Sequence, residues 1–224
     1  TVKTRVLASN QHLLRVDQED SHDLTEAEAE AFLEHVRNLI DQRDIHVILF
    51  QDYNKGVLTQ RVIQELMLEA IKRDIPTAVD PKDKNFWSYK HVTLFKPNLK
   101  EIRAQVPIAI EPTLESLREA SDYVQKQLGN TSTIITLSEK GLYYNHSEGD
   151  AIVPTLERSV ADVCGAGDTV ISIVAMGLAL DLPMDQIALL ANLAGGQVCE
   201  RVGVVPVNKD QLQREFDQLM QPSE

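Results

Sequence analysis

Cysteine is scarce: two residues, Cys164 and Cys199, lie far apart in a chain of 224 and show no metal-ligand spacing. That excludes a disulfide framework and a thiolate metal site as organising features, and a reduced, cytoplasmic state is expected. The six histidines are scattered, with no pair at helical ligand spacing, so a histidine metal site is not expected either. Positive charge is also short. There are 22 Lys and Arg against 34 Asp and Glu, for a formal net charge of -12, which argues against a nucleic-acid partner, since that needs a basic face. No uncharged apolar run reaches the roughly 18 residues of a membrane span, so no membrane partner is expected, and no signal peptide is visible. Gly-x-x-x-x-Gly-Lys-Ser/Thr is absent, which removes a Walker-type nucleotide site. There is no repeat, low-complexity tract or linker, so residues 1–224 read as one domain. The chain opens at Thr1 in a strand-like segment and is expected to lack the front of that domain.

What is present centres on Asp162-Val163-Cys164-Gly165-Ala166-Gly167-Asp168-Thr169, followed by the apolar segment Val170 to Leu180. Two glycines and an alanine let a ligand approach the backbone closely. A turn of this kind feeding a helix N-terminus attracts anions, because the first N–H groups are unpaired and the helix dipole favours negative charge. An acid, Asp168, stands at that entrance and would repel a phosphate. It reads either as an N-cap or as a base taking a proton from a hydroxyl that attacks phosphorus. Gly-x-Gly is not continued as a dinucleotide fingerprint, since Val170 occupies the third glycine position.

Along the chain, Val2 to Leu7 and Leu13 to Val16 read as two short strands around a Ser9-Asn10 turn. A Thr25-x-x-Glu28 capping box opens a helix with Phe32, Val36, Leu39 and Ile40 on one face. Strand-like segments follow at Ile45 to Phe50, Pro76 to Val79, His91 to Phe95 and Thr133 to Leu137. Helices alternate with them: one capped by Thr59 carries Val62, Ile63, Leu66, Met67 and Ala70, and one stops near Gly129. Gly141 to Tyr144 and Ala151 to Val153 read as antiparallel edge pieces. Two apolar helices, Thr169 to Leu180 and Pro183 to Glu200, precede an amphipathic one with Leu212, Phe216 and Leu219. Alternation of this kind predicts an α/β fold of three layers, with a mostly parallel sheet. Sites in such sheets lie beyond the C-terminal strand ends. There stand Asp52, Asp80, Asn98, Glu101, Thr136, Ser138 and Asp168. For Asp52 and Asp80 the alternative is loop capping, and their strand-end placement favours function.

These residues, in this order, resemble the ribokinase/PfkB family of carbohydrate kinases. Asp162 to Asp168 is similar to its signature Asp-[Thr/Val]-x-Gly-Ala-Gly-Asp. Asn98-Leu99-Lys100-Glu101 resembles its Asn-x-x-Glu motif, Thr136 to Gly141 its Thr-x-[Gly/Ser]-x-x-Gly loop, and Ala191 to Gly195 its Asn-bearing helix near adenine. Lys3 to Val6, Asn10-Gln11, Leu14 to Asp17, Asp52 to Gly56 and Asp80-Pro81-Lys82 resemble the heptose-7-phosphate kinase branch, which phosphorylates C1 of D-glycero-D-manno-heptose 7-phosphate on the route to ADP-heptose and lipopolysaccharide.

The resemblance implies a ribokinase-like fold with a small β lid (residues 1–17), ATP and Mg²⁺, a sugar-phosphate substrate, and a homodimer through the lid. It implies Asp168 as the base and the amides of Gly165, Ala166 and Gly167 as the phosphoryl cradle. Asn98, Glu101, Thr136, Ser138, Gly141 and Asn192 would serve the nucleotide, Glu101 also Mg²⁺, and Arg5, Asn10, Asp52, Lys55 and Asp80 the sugar. Arg5 reads equally as a surface residue of a lid strand. Departures are Phe50-Gln51 before Asp52, Ile173, and Gly203-Val204. No His-x-Gly-His nucleotidyltransferase motif occurs. Alternatives are another sugar kinase of the family, for ribose or fructose phosphate, and a silent binding module. Lys82 reads as solvated or structural, Phe86, Trp87 and Tyr89 as a packing cluster, Met176 and Met184 as core filler.

Overall fold

The computed structural model describes residues 2–8 and 11–220. Strands β1 (Val2–Ala8) and β2 (Gln11–Gln18) pair antiparallel as a hairpin. The Ser9-Asn10 turn, and with it Asn10 as a sugar ligand, lies outside the described residues. The central sheet has six strands in the order β3-β4-β5-β6-β7-β8. They are β3 (Ile48–Gln51), β4 (Thr77–Asp80), β5 (Leu94–Phe95), β6 (Ser132–Thr136), β7 (Leu142–His146) and β8 (Gly149–Val153). The run β3 to β6 is parallel, and β7 and β8 add on antiparallel.

The helices are α1 (Glu26–Gln42), α2 (Gln60–Lys72), α3 (Leu99–Gln105), α4 (Leu114–Leu128), α5 (Ala166–Ala179), α6 (Met184–Val198) and α7 (Lys209–Met220). Alternation along each strand sorts the core into two layers, because successive side chains leave opposite faces. Val79, Phe95, Ile135 and Tyr143 pack with α1 to α4, while Ala78, Leu94, Ile134 and Leu142 pack with α5 and α6. The result is the three-layer α/β/α arrangement that the alternation predicts.

Thr25 and Glu28 form the reciprocal capping box that opens α1, a motif whose cap alone contributes about 1 kcal/mol. The buried stripe of α2 is Val62, Ile63, Leu66, Met67 and Ala70, as its periodicity predicts. On α1 the buried face runs through Ala29, Leu33 and Ile40, with Leu39 turned outward. The strand expected over His91 to Phe95 shortens to Leu94–Phe95, since His91 takes a φ of 60° that no strand accommodates. Phe86 and Tyr89 are fully buried and Phe86 meets Trp87 and Phe95 edge-on, a packing cluster. Met184 is core, but Met176 is 53% exposed. No helix is long and apolar enough to cross a membrane, among the described residues.

Candidate active site

The C-terminal ends of β3, β4, β5 and β6 open onto one cleft, closed on its other side by the start of α5. The strands contribute Gln51, Asp80 and Thr136, and the segments that follow them Tyr53, Lys82, Lys96 and Asn98. The α5 entrance contributes Gly165, Gly167 and Asp168.

That entrance is shaped by two features. Gly165 sits at the N-cap with φ 81°, the left-handed region, and offers no side chain to cap the helix. Ala166 N–H turns back to Val163 O at 3.3 Å. The amides of Gly167 and Asp168, in the first turn, have no carbonyl one turn earlier to meet. Asp162 braces the loop: its Oδ1 accepts from Cys164 N–H at 3.1 Å and its Oδ2 from Gly203 N–H at 2.9 Å. Asp168 is therefore not the cap. It stands three residues inside, in the first turn, where the dipole favours its charge.

Both donors that reach Asp168 come from β3 and the loop after it. Tyr53 OH donates to Oδ1 at 2.8 Å and Gln51 Nε2 to the same oxygen at 3.0 Å. Gln51 Nε2 also reaches Asp80 Oδ2 at 3.3 Å, where Lys96 Nζ arrives at 3.2 Å. Burial pushes the Asp80 carboxyl above the usual carboxylate range, against the pull of Lys96. Burial, and then the bond to Asp168, pushes the Tyr53 phenol up to about 12. Lys96 is 2% exposed, and its ion-pair partner among the described residues is Asp80.

Asn98 and Glu101 meet in a second capping box. Asn98 Oδ1 accepts from Glu101 N–H at 2.8 Å, and Glu101 Oε2 accepts from Asn98 N–H at 2.9 Å. The other oxygen, Oε1, pairs with Lys82 Nζ. Desolvation works to lower the Lys82 ammonium, but Glu101 and the nearby aspartates outweigh it and hold it above the ordinary lysine value. Lys82 is thus part of the cleft and not merely solvated.

Other expected residues stand elsewhere. Asp52 is 1% exposed and lies behind the cleft, its oxygens accepting from Asn54 N–H at 2.8 Å, Asn85 Nδ2 at 3.0 Å and Tyr89 OH at 2.7 Å. Lys55 pairs with Glu19 at the base of the hairpin. Arg5 faces Arg15 directly across the hairpin. Ser138 begins a tight turn closed by Gly141 N–H at 3.1 Å. A Cβ at Gly141 would meet Val153 O at 2.0 Å, so close backbone approach explains that glycine. Asn192 Nδ2 donates to Pro154 O at 2.9 Å and ties α6 to the end of β8. None of these six lines the cleft. The residues that strand-end reasoning passed over are Gln51, Tyr53 and Lys96. The same rule, applied within two residues of each strand end, finds them.

The chain belongs to the pfkB family of carbohydrate kinases: the family's profile matches residues 1–211. Among curated proteins it is 38% identical over 211 residues to the bifunctional protein HldE of Syntrophotalea carbinolica, covering 94% of this chain and 42% of that protein. The corresponding match in Geobacter sulfurreducens is 38% identical over 212 residues, with 92% and 42% covered. The chain thus spans less than half the length of the curated relatives it matches. Among solved structures, phosphofructokinase-2 from Escherichia coli in complex with potassium superposes with a TM-score of 0.83 at 19% identity, over 98% of this chain and 70% of that one. Ribokinase from Arabidopsis thaliana, complexed with ribose and ATP, gives 0.69 at 17% identity, over 87% and 60%. At these identities the structural likeness speaks to the fold.

Proposed function

We propose that the chain is an ATP-dependent sugar kinase acting on C1 of D-glycero-D-manno-heptose 7-phosphate, on the route to ADP-heptose and lipopolysaccharide in the cytoplasm. One observation carries the kinase reading: a carboxylate, Asp168, stands beside the open amides of an uncapped helix, facing a cleft that also holds Lys82 and Lys96. Bare amides and two ammonium groups suit phosphate, and the carboxylate suits the proton of an attacking hydroxyl.

The donor set fits MgATP as a substrate. No cluster of three or more metal-ligating side chains exists among the described residues, and Mg²⁺ is commonly held by one or two carboxylates, water and the phosphates themselves. Glu101 would serve it through water, since both of its oxygens already have partners. Bound Mg²⁺ would neutralise charge that develops on the transferring group. Gly167 and Asp168 amides hold phosphoryl oxygens, with Gly165 and Ala166 shaping their turn, and Asn98 and Thr136 border the nucleotide. Asp168 accepts the proton of the C1 hydroxyl as that oxygen bonds to the γ-phosphorus and the bond to the departing ADP oxygen breaks.

The acceptor rests on the motif resemblance in Asp52 to Gly56 and Asp80 to Lys82. The Arg5 and Arg15 pair adds to it. Of the two, Arg15 is also held by Asp17 Oδ2 at 3.1 Å, and a sugar phosphate would meet the Arg5 guanidinium opposite it bidentately. The hairpin is proposed to cover the sugar and to pair with a second copy.

Replacing Asp168 by Asn is expected to lower turnover by about 10²–10⁴ with the fold intact, the worth of a positioned acid–base group. Near-native turnover would remove Asp168 from the base role. A panel of sugars with ATP consumption as readout tests the acceptor, and strong preference for an unphosphorylated pentose would defeat the heptose assignment.

A further inference from the structure

The two donors on Asp168 have no part in the chemistry above. An aspartate in the first turn of a helix, on the solvent side, ordinarily samples several rotamers. Here Oδ1 receives Tyr53 OH at 2.8 Å and Gln51 Nε2 at 3.0 Å, while Oδ2 receives no hydrogen bond among the described residues. The carboxylate is held from one side and left open on the other.

The residues that hold it are themselves held. Tyr53 is flanked by Asp52, whose three donors pin it in the interior, and by Asn54, which takes the left-handed φ of 53° and donates Nδ2 to Asp83 at 2.9 Å. The loop then closes on the hairpin base through Lys55 with Glu19 and through Leu24 N–H to Gly56 O at 3.0 Å. Gln51 is the last residue of β3. Its amide lies between two carboxylates, donating to Asp80 Oδ2 and to Asp168 Oδ1, and so fills the space in which they would otherwise repel each other across water.

Tyr53 is 51% exposed, and a single half-exposed hydrogen bond contributes little to folding. Its value lies in geometry. We propose that Tyr53 and Gln51 are positioning residues for Asp168: they clamp Oδ1 and thereby present Oδ2 to the acceptor hydroxyl. This rests on the kinase reading, in which Asp168 is the base. Misplacing a reacting group by about 1 Å costs up to about 10² in rate, and a clamp of this kind is felt in turnover more than in substrate affinity.

The test uses the whole protein with MgATP and heptose 7-phosphate. Tyr53→Phe and Gln51→Met are each expected to lower kcat by about tenfold or more while the sugar KM stays within about twofold. Introduced into Asp168→Asn, Tyr53→Phe is expected to change kcat by less than about twofold, because the base it positions is gone. A kcat for Tyr53→Phe within about twofold of the parent, or a loss carried by KM alone, overturns the proposal.

A second readout needs no turnover. The chain has five tyrosines, and with their Cζ atoms isotopically labelled the Tyr53 NMR resonance is the one lost in Tyr53→Phe. It is expected to move when Asp168 becomes Asn at neutral pH. If the parent protein phosphorylates no sugar while this resonance responds, the kinase reading fails and the clamp stands. If the resonance does not respond, the clamp fails whatever the turnover.

Discussion

At Asp52, three donors converge on a carboxylate that is 1% exposed. Removing it would leave Asn85 and Tyr89 with buried, unanswered donors, and the cost of such groups exceeds the worth of the bonds they made. Asp52→Ala is therefore expected to lower unfolding stability by roughly 2–4 kcal/mol, read from urea titration. A substitution that left stability unchanged and raised only the sugar KM would return Asp52 to the ligand role that its strand-end position suggested. The same position in sequence thus hides two outcomes, because a strand end says where a side chain emerges and not whether neighbours have closed over it. Asp168 was legible as an acid at a helix entrance from the glycines before it, and the structure puts it inside the first turn and beside the cleft. Asn98 and Glu101 were legible as a pair, and their spacing makes a capping box at a helix start, with Asn98 lining the cleft. Lys96 was not legible: between Phe95 and Pro97 a lysine looks like an ordinary polar strand end, and only the sheet shows it buried against Asp80.

Among the elements, α5 and α6 pack most closely where side chains are smallest. A Cβ at Gly177 would stand 2.6 Å from Ile187 Cγ1, and one at Gly195 2.7 Å from Val170 Cγ2. In helix propensity Gly177→Ala would gain about 0.8–1 kcal/mol, but overpacking a tight contact costs about 1–3 kcal/mol. The second term wins, so Gly177→Ala is expected to lower the melting temperature, and calorimetry checks the sign. This pair shows what periodicity conveys and what it omits. Apolar content announced both helices, yet with apolar residues on nearly every side it could not say which face is covered, and Met176 was assigned to the core although it is exposed. Short elements were harder to bound: helix α3 is seven residues long, too brief for a periodic signal, and β5, expected over five residues, is two.

For the molecule as a whole, the hairpin is the outlying part. Val2, Val6, Leu14 and Val16 share one face, by the register Val6 to Leu14 and Thr4 to Val16, and they are 61%, 44%, 57% and 53% exposed. A two-stranded sheet is marginal by itself, so an apolar face of this kind calls for cover, and the proposed homodimer supplies a second hairpin. Leu14→Lys is expected to halve the sedimenting mass in analytical ultracentrifugation; a species already monomeric before the substitution would sink the pairing. The layered fold and the cleft's place at the strand ends follow from the alternation of strands and helices, whereas the hairpin's partner depends on surface that a single sequence does not label.

Gly56 is where that hairpin is seated. A Cβ there would sit 1.8 Å from His22 O, so the backbone after β2 is pressed onto the loop that carries Tyr53, with Lys84 and Asp23 paired alongside. Anyone transplanting the hairpin into a sister enzyme to change its sugar would have to move residues 52–56 in the same cassette. Exchanged alone, it would arrive on a seat cut for a different backbone.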